Sequence, residues 1–455
     1  MRKIVRTNVV KLPTEVSLTI TKLLADGLGF AEVVDETHGH TKTFHVRNAL
    51  PGETVRARIL RRRKGILQTD AVQVEDDHSV RQRSACVNFP RCGGCSMHHM
   101  QPSAQLALKQ QQLELALAEN DVEPGGWSEP YSAVRLGYRR KARLGVRKLG
   151  DQVLVGFRES FSNRVARITT CEVLTPELSK LIGPLRQLIA QLSIADKIPQ
   201  IEVAQGDGPC VLMVRHLEPL TPEDMEHWSF FEKCHGVVVL LQSAGYDSLV
   251  PLPGGRGEKV KRLGYHILQS GLYLEFIPQQ FTQVNQAMNE VLIRRVLMYL
   301  GDLNGRRVVD LFCGIGNFTL PLAKAGAQVW GYEVAADAIG MAQENSENNS
   351  LAHRTNFETL DLYSEHAQQG LPTSLDALVL DPPRSGAGPN LQGWLDSFTG
   401  ADIVYVSCNP KSFALDAAVI VAQGFVLDKV GIFDMFPNTA HIETVGHFKR
   451  QSRHG

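Results

Sequence analysis

Short segments near the start of the chain alternate apolar and polar residues with a period of two. Val16–Leu24, Phe30–Val34, Thr43–Val46, Glu53–Arg61 and Gly65–Val74 each read as a strand. Turns at Asp26-Gly27-Leu28-Gly29 and Pro51-Gly52 punctuate them. Closely spaced strands with such turns predict a small β-barrel over residues 1–78. Residues 79–280 are mixed. Gln105–Glu119, rich in Leu, Ala, Gln and Lys, predicts a helix, and strand-like runs follow at Ala142–Val146, Val153–Phe157, Ile201–Ala204, Val211–Val214 and Val237–Leu241. From 281 to 455 the pattern changes to strand–helix alternation. Strands are expected at Val308–Phe312, Gln328–Tyr332, Phe357–Leu360, Ala377–Leu380 and Ile403–Val406, with helices at Phe318–Ala325 and Ala335–Asn345. That rhythm predicts a parallel, doubly wound α/β sheet.

Composition narrows the reading. The chain has 455 residues, 43% hydrophobic and 21% charged, which excludes a disordered or collagen-like protein. The longest aliphatic run, Val237–Leu241, falls far short of the roughly 18 residues of a membrane span. The N-terminus has positive charge but no apolar core of a signal peptide. A cytoplasmic protein without a membrane partner, acting as a monomer, is expected. Net charge is zero, with 48 basic and 48 acidic residues, yet the distribution is uneven. Residues 1–85 hold 15 Lys/Arg against 10 Asp/Glu. Arg56, Arg58, Arg61, Arg62, Arg63 and Lys64 cluster where the pattern places a turn of the barrel. Such a cluster suits phosphate neutralisation. Leu24-Ala25-Asp26-Gly27-Leu28-Gly29-Phe30-Ala31 resembles the start of a TRAM domain, an OB-like RNA-binding module. A second basic stretch, Arg135–Lys148, includes Tyr138, an arrangement suited to base stacking beside phosphate contacts.

The candidate chemistry lies in the C-terminal region. Asp310-Leu-Phe-Cys-Gly314-Ile-Gly316-Asn317-Phe-Thr follows a strand and opens a helix, and its glycines let the backbone turn tightly beside a ligand. The third glycine of a dinucleotide fingerprint is replaced by Thr319. Glu333, at the next strand end, is placed to accept from ribose hydroxyls, and Asp361, at the third, to contact an adenine amine. NAD and S-adenosylmethionine (AdoMet) both present adenosine, but AdoMet has no pyrophosphate and does not need a fully glycine-lined helix start. Asp381-Pro-Pro-Arg384 and Ser407-Cys408-Asn-Pro410 follow the fourth and fifth strands. A pyrimidine C5 is a poor nucleophile. A thiolate adding to C6 makes C5 an enolate carbon, and the thiolate is later eliminated, which suits Cys408 to the nucleophile's role. Cys313 is a rival, but it sits inside the glycine loop, where a small apolar residue is expected. A base must then remove the C5 proton. His441-Ile-Glu443 reads as a strand, which would put His441 and Glu443 on one face.

Phe281-Thr-Gln283-Val-Asn285, Asp310–Phe318, Asp381-Pro-Pro-Arg, Ser407-Cys408-Asn-Pro and His441-Ile-Glu443-Thr together resemble the RNA uracil-5-methyltransferase family. The resemblance spans most of the chain, though no motif anchors it over 175–280. It implies a Rossmann-like AdoMet methyltransferase domain over 281–455, an N-terminal OB-like β-barrel (TRAM) over 1–78 and a central mixed α+β Fe–S domain over 79–280. It implies that Gln283, Phe312, Asn317, Glu333, Asp361 and Asp381 line the AdoMet pocket. It also makes Cys408 the nucleophile and Glu443 the base; His441 beside it is the alternative base that the residues themselves offer.

Cys86-x5-Cys92-Gly-Gly-Cys95 puts three thiols on a glycine-rich loop, and Cys171 is the natural fourth. Four thiolates suit an Fe–S cluster or zinc, and three close cysteines with one remote fit a cluster loop better. The resemblance implies [4Fe–4S]. Cys210 and Cys234 read as inert core residues. A TRAM-like start combined with this cysteine set points within the family to enzymes acting on 23S ribosomal RNA. A tRNA substrate is the alternative, as is an Fe–S RNA-binding protein with a vestigial methylase domain.

Overall fold

The computed structural model describes residues 15–35, 40–76, 78–365, 367, 372 and 374–451. The chain divides into two compact units. The first comprises Met1–Gln105, Arg158–Ala166 and Asn438–Ala440, and the second Leu106–Phe157, Arg167–Pro437 and His441–Gly455.

The first unit is built on a six-stranded sheet. Its strands are β1 (Glu15–Thr19), β2 (Lys22–Leu23), β3 (Gly29–Asp35), β4 (His40–Arg47), β5 (Thr54–Arg63) and β6 (Ile66–Val74), in the order β1-β5-β6-β4-β3-β2. Neighbours are antiparallel except β4 and β6. Alternation sends Leu18, Phe44, Val46, Val55, Ala57 and Leu67 into one apolar core. The basic cluster differs from expectation in its position. Arg56 to Arg63 lie within β5, and the turn is only Lys64-Gly65. Both turn residues have positive φ, 49° and 84°, as a two-residue type I′ hairpin requires. The strand therefore continues through the arginines, and these cations share a sheet rather than a loop.

The second unit holds two larger sheets and a hairpin. Helix α1 (Pro102–Ala118) enters it. A six-stranded sheet follows: β7 (Lys141–Leu149), β8 (Gln152–Gly156), β9 (Gln200–Gln205), β10 (Cys210–Arg215), β11 (Val238–Gln242) and β12 (Leu249–Pro251), ordered β12-β11-β10-β9-β7-β8. Helices α2 (Pro176–Gln191) and α3 (Pro222–His235) belong to the same stretch. The hairpin β13 (Leu263–Ile267) and β14 (Leu272–Phe276) precedes α4 (Gln286–Leu300).

The last region contains β15 (Arg307–Leu311), α5 (Thr319–Lys324), β16 (Gln328–Glu333), α6 (Ala336–Asn348), β17 (Thr355–Thr359), β18 (Ala377–Leu380), α7 (Leu391–Ser397), β19 (Asp402–Ser407), α8 (Pro410–Ala422), β20 (Phe425–Phe433) and β21 (Glu443–Arg450). The sheet order is β17-β16-β15-β18-β19-β21-β20. β15 to β19 pair in parallel, and the order reverses at β15/β18, the switch point where open α/β sheets place ligands. The expectation of a wholly parallel sheet fails at one strand, because β21 is antiparallel to both β19 and β20.

Residues 434–437, which leave β20, are held by side chains rather than by a ladder. The carbonyls of Met435, Phe436 and Pro437 accept from Asn285 Nδ2 at 3.1 Å, Lys109 Nζ at 3.3 Å and Tyr138 Oη at 3.2 Å. Lys109 also pairs with Asp434 at 2.6 Å, with the two side chains only 1% and 0% exposed. Burial pushes the lysine's pKa down, opposed by the Asp434 charge. Lys109→Met is therefore expected to destabilise the protein by about 3 kcal/mol, because it leaves the buried Asp434 carboxylate with only Ser132 at 3.2 Å and the more distant Arg135 at 3.8 Å. Lys109→Met combined with Asp434→Leu should recover only part of that loss, because the Phe436 carbonyl, the Ser132 hydroxyl and Arg135 then lose these side chains as partners. Urea unfolding of the two variants beside the parent chain checks both.

Candidate active site

The loop after β15 carries the glycine motif. Gly314 (φ 54°) and Gly316 (φ 92°) are left-handed, and a Cβ on Gly314 would meet nothing within 4 Å, so the loop faces open space there. Phe312 holds φ 66° without being glycine, a strained conformation of the kind concentrated at ligand sites. Asp310 sits below the loop, fully buried, and accepts from Thr319 Oγ1 at 2.5 Å. Thr319 thus replaces the fingerprint's third glycine with a group that pins the motif's first residue. Burial raises the Asp310 pKa to about 7.

The other motif residues stand at the carboxyl ends of adjacent strands. Glu333 ends β16, half-buried, with Oε1 accepting the Ala335 N–H at 3.1 Å. Asp361 lies two residues past β17, exposed, and accepts the Tyr363 N–H at 3.0 Å. The Phe312 and Tyr363 rings meet at 5.9 Å. Asp381 follows β18, and its N–H donates to Leu311 O at 3.3 Å. Asn317 is largely committed elsewhere. Its Oδ1 accepts from Tyr265 Oη at 3.1 Å and Asn289 Nδ2 at 2.8 Å, and its Nδ2 donates back to Asn289 at 2.9 Å. Asn317 can therefore offer a ligand at most one amide N–H. Gln283 is half-buried in the segment before α4.

Cys408 and Glu443 come together through strand pairing. The β19–β21 ladder ends where Ser407 faces Thr444, so Cys408 and Glu443 are the next residues on each side, and the Glu443 charge is close enough to act on the Cys408 thiol. Asn409 fixes the cysteine loop. Its Oδ1 caps α8 by accepting the Lys411 N–H at 3.2 Å, and its Nδ2 donates to the Arg384 carbonyl at 2.9 Å. The loop after β19 is thereby tied to the loop after β18. Burial raises the Cys408 pKa to about 11, with Glu443 and Asp381 adding to the shift and Arg384 opposing it. Glu443, 3% exposed, is itself raised well above the usual carboxylate range by burial and then by Asp381. Asp381 is raised by burial and then by Asp310. Two buried carboxyl groups, the half-buried Asp381 and one thiol thus form a single electrostatic neighbourhood, with the thiol protonated near neutral pH.

Comparison with known proteins decides the family. Residues 265–451 match the family model described as tRNA (Uracil-5-)-methyltransferase. The chain is 38% identical over 449 residues to the 23S rRNA (uracil(1939)-C(5))-methyltransferase RlmD of Hahella chejuensis, covering 97% of this chain and 98% of that one. It is 42% identical over 449 residues to the protein of the same description from Nitrosococcus oceani, with 96% of each chain covered. The chain belongs to the RNA uracil-5-methyltransferase family. A solved structure, the Pyrococcus abyssi tRNA (uracil-54, C5)-methyltransferase in complex with S-adenosyl-L-homocysteine, shares the fold. Its TM-score is 0.71 at 23% identity, over 95% of this chain and 100% of that one.

Within this family framework several sequence-derived expectations change. His441 is not in β21, which begins at Glu443, so no shared strand face links the two. His441 is exposed while Glu443 is buried. The His441 ring meets Phe436 edge-on at 5.5 Å, and partial burial, then Arg384, Lys109 and Arg139, lower its pKa. Cys313 is buried and its pKa is pushed well up by burial, which leaves it inert. Tyr138 is only 5% exposed, so it offers no face to a base. Most of its basic neighbours are paired internally. Arg140 meets Asp207 at 2.8 Å, Arg143 meets Glu202 at 2.9 Å, and Lys141 Nζ donates to Gln280 O at 2.6 Å. A strand alternating cations with apolar residues reads alike whether the cations face solvent or acidic neighbours.

The cysteine set is split between the units, with Cys86, Cys92 and Cys95 in the first and Cys171 in the second. All four are half-buried. Their loop is packed tightly, since Gly93 donates to Arg158 O at 2.9 Å and a Cβ there would meet that oxygen at 2.8 Å. Four half-buried thiols have the right donor chemistry for a cluster or zinc. Among the described residues, however, no three His, Cys, Asp or Glu side chains are drawn together as metal ligands. Cys210 is buried as expected, with its pKa raised to about 11, but Cys234 is exposed. No helix among the described residues is long and apolar enough to cross a membrane.

The electrostatics give a direct test. Negative neighbours raise a thiol pKa and positive ones lower it. Alkylation of Cys408 by iodoacetamide should be slow at pH 7 and rise by about tenfold per pH unit toward pH 9, as the thiolate fraction grows. Asp381→Asn or Glu443→Gln should accelerate it at fixed pH, and Arg384→Ala should slow it. Mass spectrometry of the Cys408 peptide separates this thiol from the others.

Proposed function

We propose that the protein transfers the methyl group of AdoMet to C5 of a uridine in 23S ribosomal RNA. The β19–β21 pairing that brings Cys408, just past β19, within electrostatic reach of Glu443, the first residue of β21, carries this reading. The full-length similarity to proteins described as 23S rRNA methyltransferases supports the RNA class. Gln283, Phe312, Asn317, Glu333, Asp361 and Asp381 would hold AdoMet. When bound, AdoMet supplies an electrophilic methyl sulfonium. Cys408 would lose its thiol proton to water as Sγ adds to C6 of the uracil, the ring electrons would move to C5, and C5 would take the methyl group as its bond to the sulfonium sulfur breaks and S-adenosylhomocysteine leaves. Glu443 removes the C5 proton. The C6–Sγ bond then breaks as the C5–C6 double bond reforms. A buried carboxylate of raised pKa is a stronger base once ionised, which suits removal of a carbon-bound proton. The uracil must leave its stack for a thiol to approach C6 from above the ring. The β1–β6 sheet is read here as the OB-like TRAM module that binds RNA.

Glu443→Gln should form a covalent protein–RNA adduct that carries the new methyl and survives denaturing electrophoresis. Cys408→Ala should form none. Normal turnover by Glu443→Gln, with a stalled adduct in His441→Ala, would transfer the base role to the histidine. The substrate is tested by mapping 5-methyluridine in total RNA from cells lacking the protein. Loss from 23S ribosomal RNA supports the reading, whereas loss from tRNA alone would replace it.

The same reading assigns Cys86, Cys92, Cys95 and Cys171 to a [4Fe–4S] cluster, on residue type and spacing. A structural role suits it, because methyl transfer to an enolate carbon consumes no electron. Anaerobically purified protein should be brown, with about four irons and four sulfides per chain, and bleach in air. Stoichiometric zinc without iron would reject the cluster.

A further inference from the structure

The first unit contains a cleft of about 740 Å³, within the roughly 300–1,000 Å³ range of pockets that take small organic ligands. None of its lining residues belongs to the candidate active site. One wall is β5, where Arg58 and Leu60 lie on the outward face. The register shift between Ile59 and Arg61 brings Arg61 to the same cleft. The opposite wall is the loop 158–165, closed by the Arg158/Val165 bridge and by the Glu159 N–H donating to Arg164 O at 2.8 Å. At its tip Phe161 holds φ 58°, a conformation unusual for an aromatic residue, and its ring faces the Arg47 guanidinium at 5.7 Å.

Charge in the cleft is one-sided. Five arginines line it against two acids. Arg47 is paired with Asp70 at 3.0 Å and Arg91 with Glu159 at 2.6 Å. Among the described residues no carboxylate lies within ion-pair distance of Arg58 or Arg164. Two polar atoms at the cleft are also unsatisfied. Arg47 Nε and Asp70 Oδ1 are buried without a hydrogen-bond partner among the described residues, on side chains 8% and 15% exposed. These two atoms are shut off from the cleft, but the Phe161 ring can stack a nucleobase, and arginines without a carboxylate partner match its phosphates.

We propose that this cleft seats an extruded nucleotide of the RNA substrate, its base on Phe161 and its flanking phosphates on Arg58 and Arg164. The proposal rests on the reading of the protein as an RNA methyltransferase. It adds an anchoring subsite built partly from the 158–165 loop, beyond the basic strand itself. The subsite positions RNA and takes no part in the chemistry. Removing it should raise KM and leave kcat alone.

The test uses the full-length protein and an unmodified 23S ribosomal RNA transcript. Arg58→Ala combined with Arg164→Ala should raise KM about tenfold or more. It should also flatten the salt dependence of binding by about 0.7 in log–log slope for each phosphate deprived of its arginine. Phe161→Ala should weaken binding by about tenfold with the salt slope unchanged, as removal of a stacking ring does. Arg62→Ala combined with Arg63→Ala removes equal charge from the same strand outside the cleft, and should cost no more than about threefold, the share of general attraction. Equal losses from the two arginine pairs, or an unchanged affinity in Phe161→Ala, would overturn the subsite. Photo-crosslinking of 4-thiouridine-substituted RNA should label the peptide spanning 158–164, and its absence from the labelled peptides would count equally against it. If the wild-type protein transfers no methyl group, the functional reading fails, while crosslinking still decides whether the cleft holds RNA.

Discussion

The antiparallel pairing of β21 against β19 is the constraint on which the site depends. Side chains alternate along a strand, so a slip of one residue would turn Glu443 to the opposite face of the sheet. Several contacts hold the register. His447, opposite Val404, is buried and meets Asp402 at 3.0 Å, and its ring stacks on Tyr299 at 5.1 Å. Gly446 lies under Phe413 of α8, where a Cβ would come within 2.6 Å of the ring. A side chain at 446 would push the helix away from the strand. α8 begins at the cysteine loop, so the same contact also bears on where Cys408 sits.

That geometry concentrates negative charge where water is absent. Asp310 and Glu443 are removed from solvent and Asp381 is half-buried, and each is raised in pKa first by burial. Such a group costs stability in its ionised form unless paired, and Arg384 is the cation that opposes the shift at Cys408. Clusters of this kind are disfavoured in ordinary cores and are a mark of functional sites. The sign also follows. A base whose pKa is raised is lost by protonation as pH falls through that value, so activity that depends on Glu443 fails first on the acid side.

Much of this was legible in the sequence because it is local. The βαβ rhythm over 307–407 and the motif residues at strand ends both appear where expected. What escaped was non-local. The periodicity of β21 says nothing of its direction or neighbours. Lys109 lies in a polar-looking helix, and its partner Asp434 is 325 positions away, so nothing nearby signals burial. Tyr138 among cations looks like a surface aromatic until the Pro437 carbonyl is found to take its hydroxyl. His441 reads as part of a strand because Glu443 and the residues after it do form one. Its exposure reflects where pairing begins, a property of the partners β19 and β20.

The segment after β20 explains why those distant polar residues are needed. To insert β21 between β19 and β20, the chain must leave the ladder and return in the opposite direction, and although the Asp434 N–H still donates to Tyr131 O at 2.8 Å, the carbonyls of residues 435–437 have no strand partner. Buried carbonyls without partners are costly, so donors must come from elsewhere. Asn285, Lys109 and Tyr138 supply them from three separate parts of the chain. An apolar lining would bury the segment and leave its carbonyls unsatisfied. A further strand there would satisfy them but occupy the edge along which β21 must return. Polar side chains that reach in from the side meet both requirements, and the position of Glu443 near Cys408 follows from that solution.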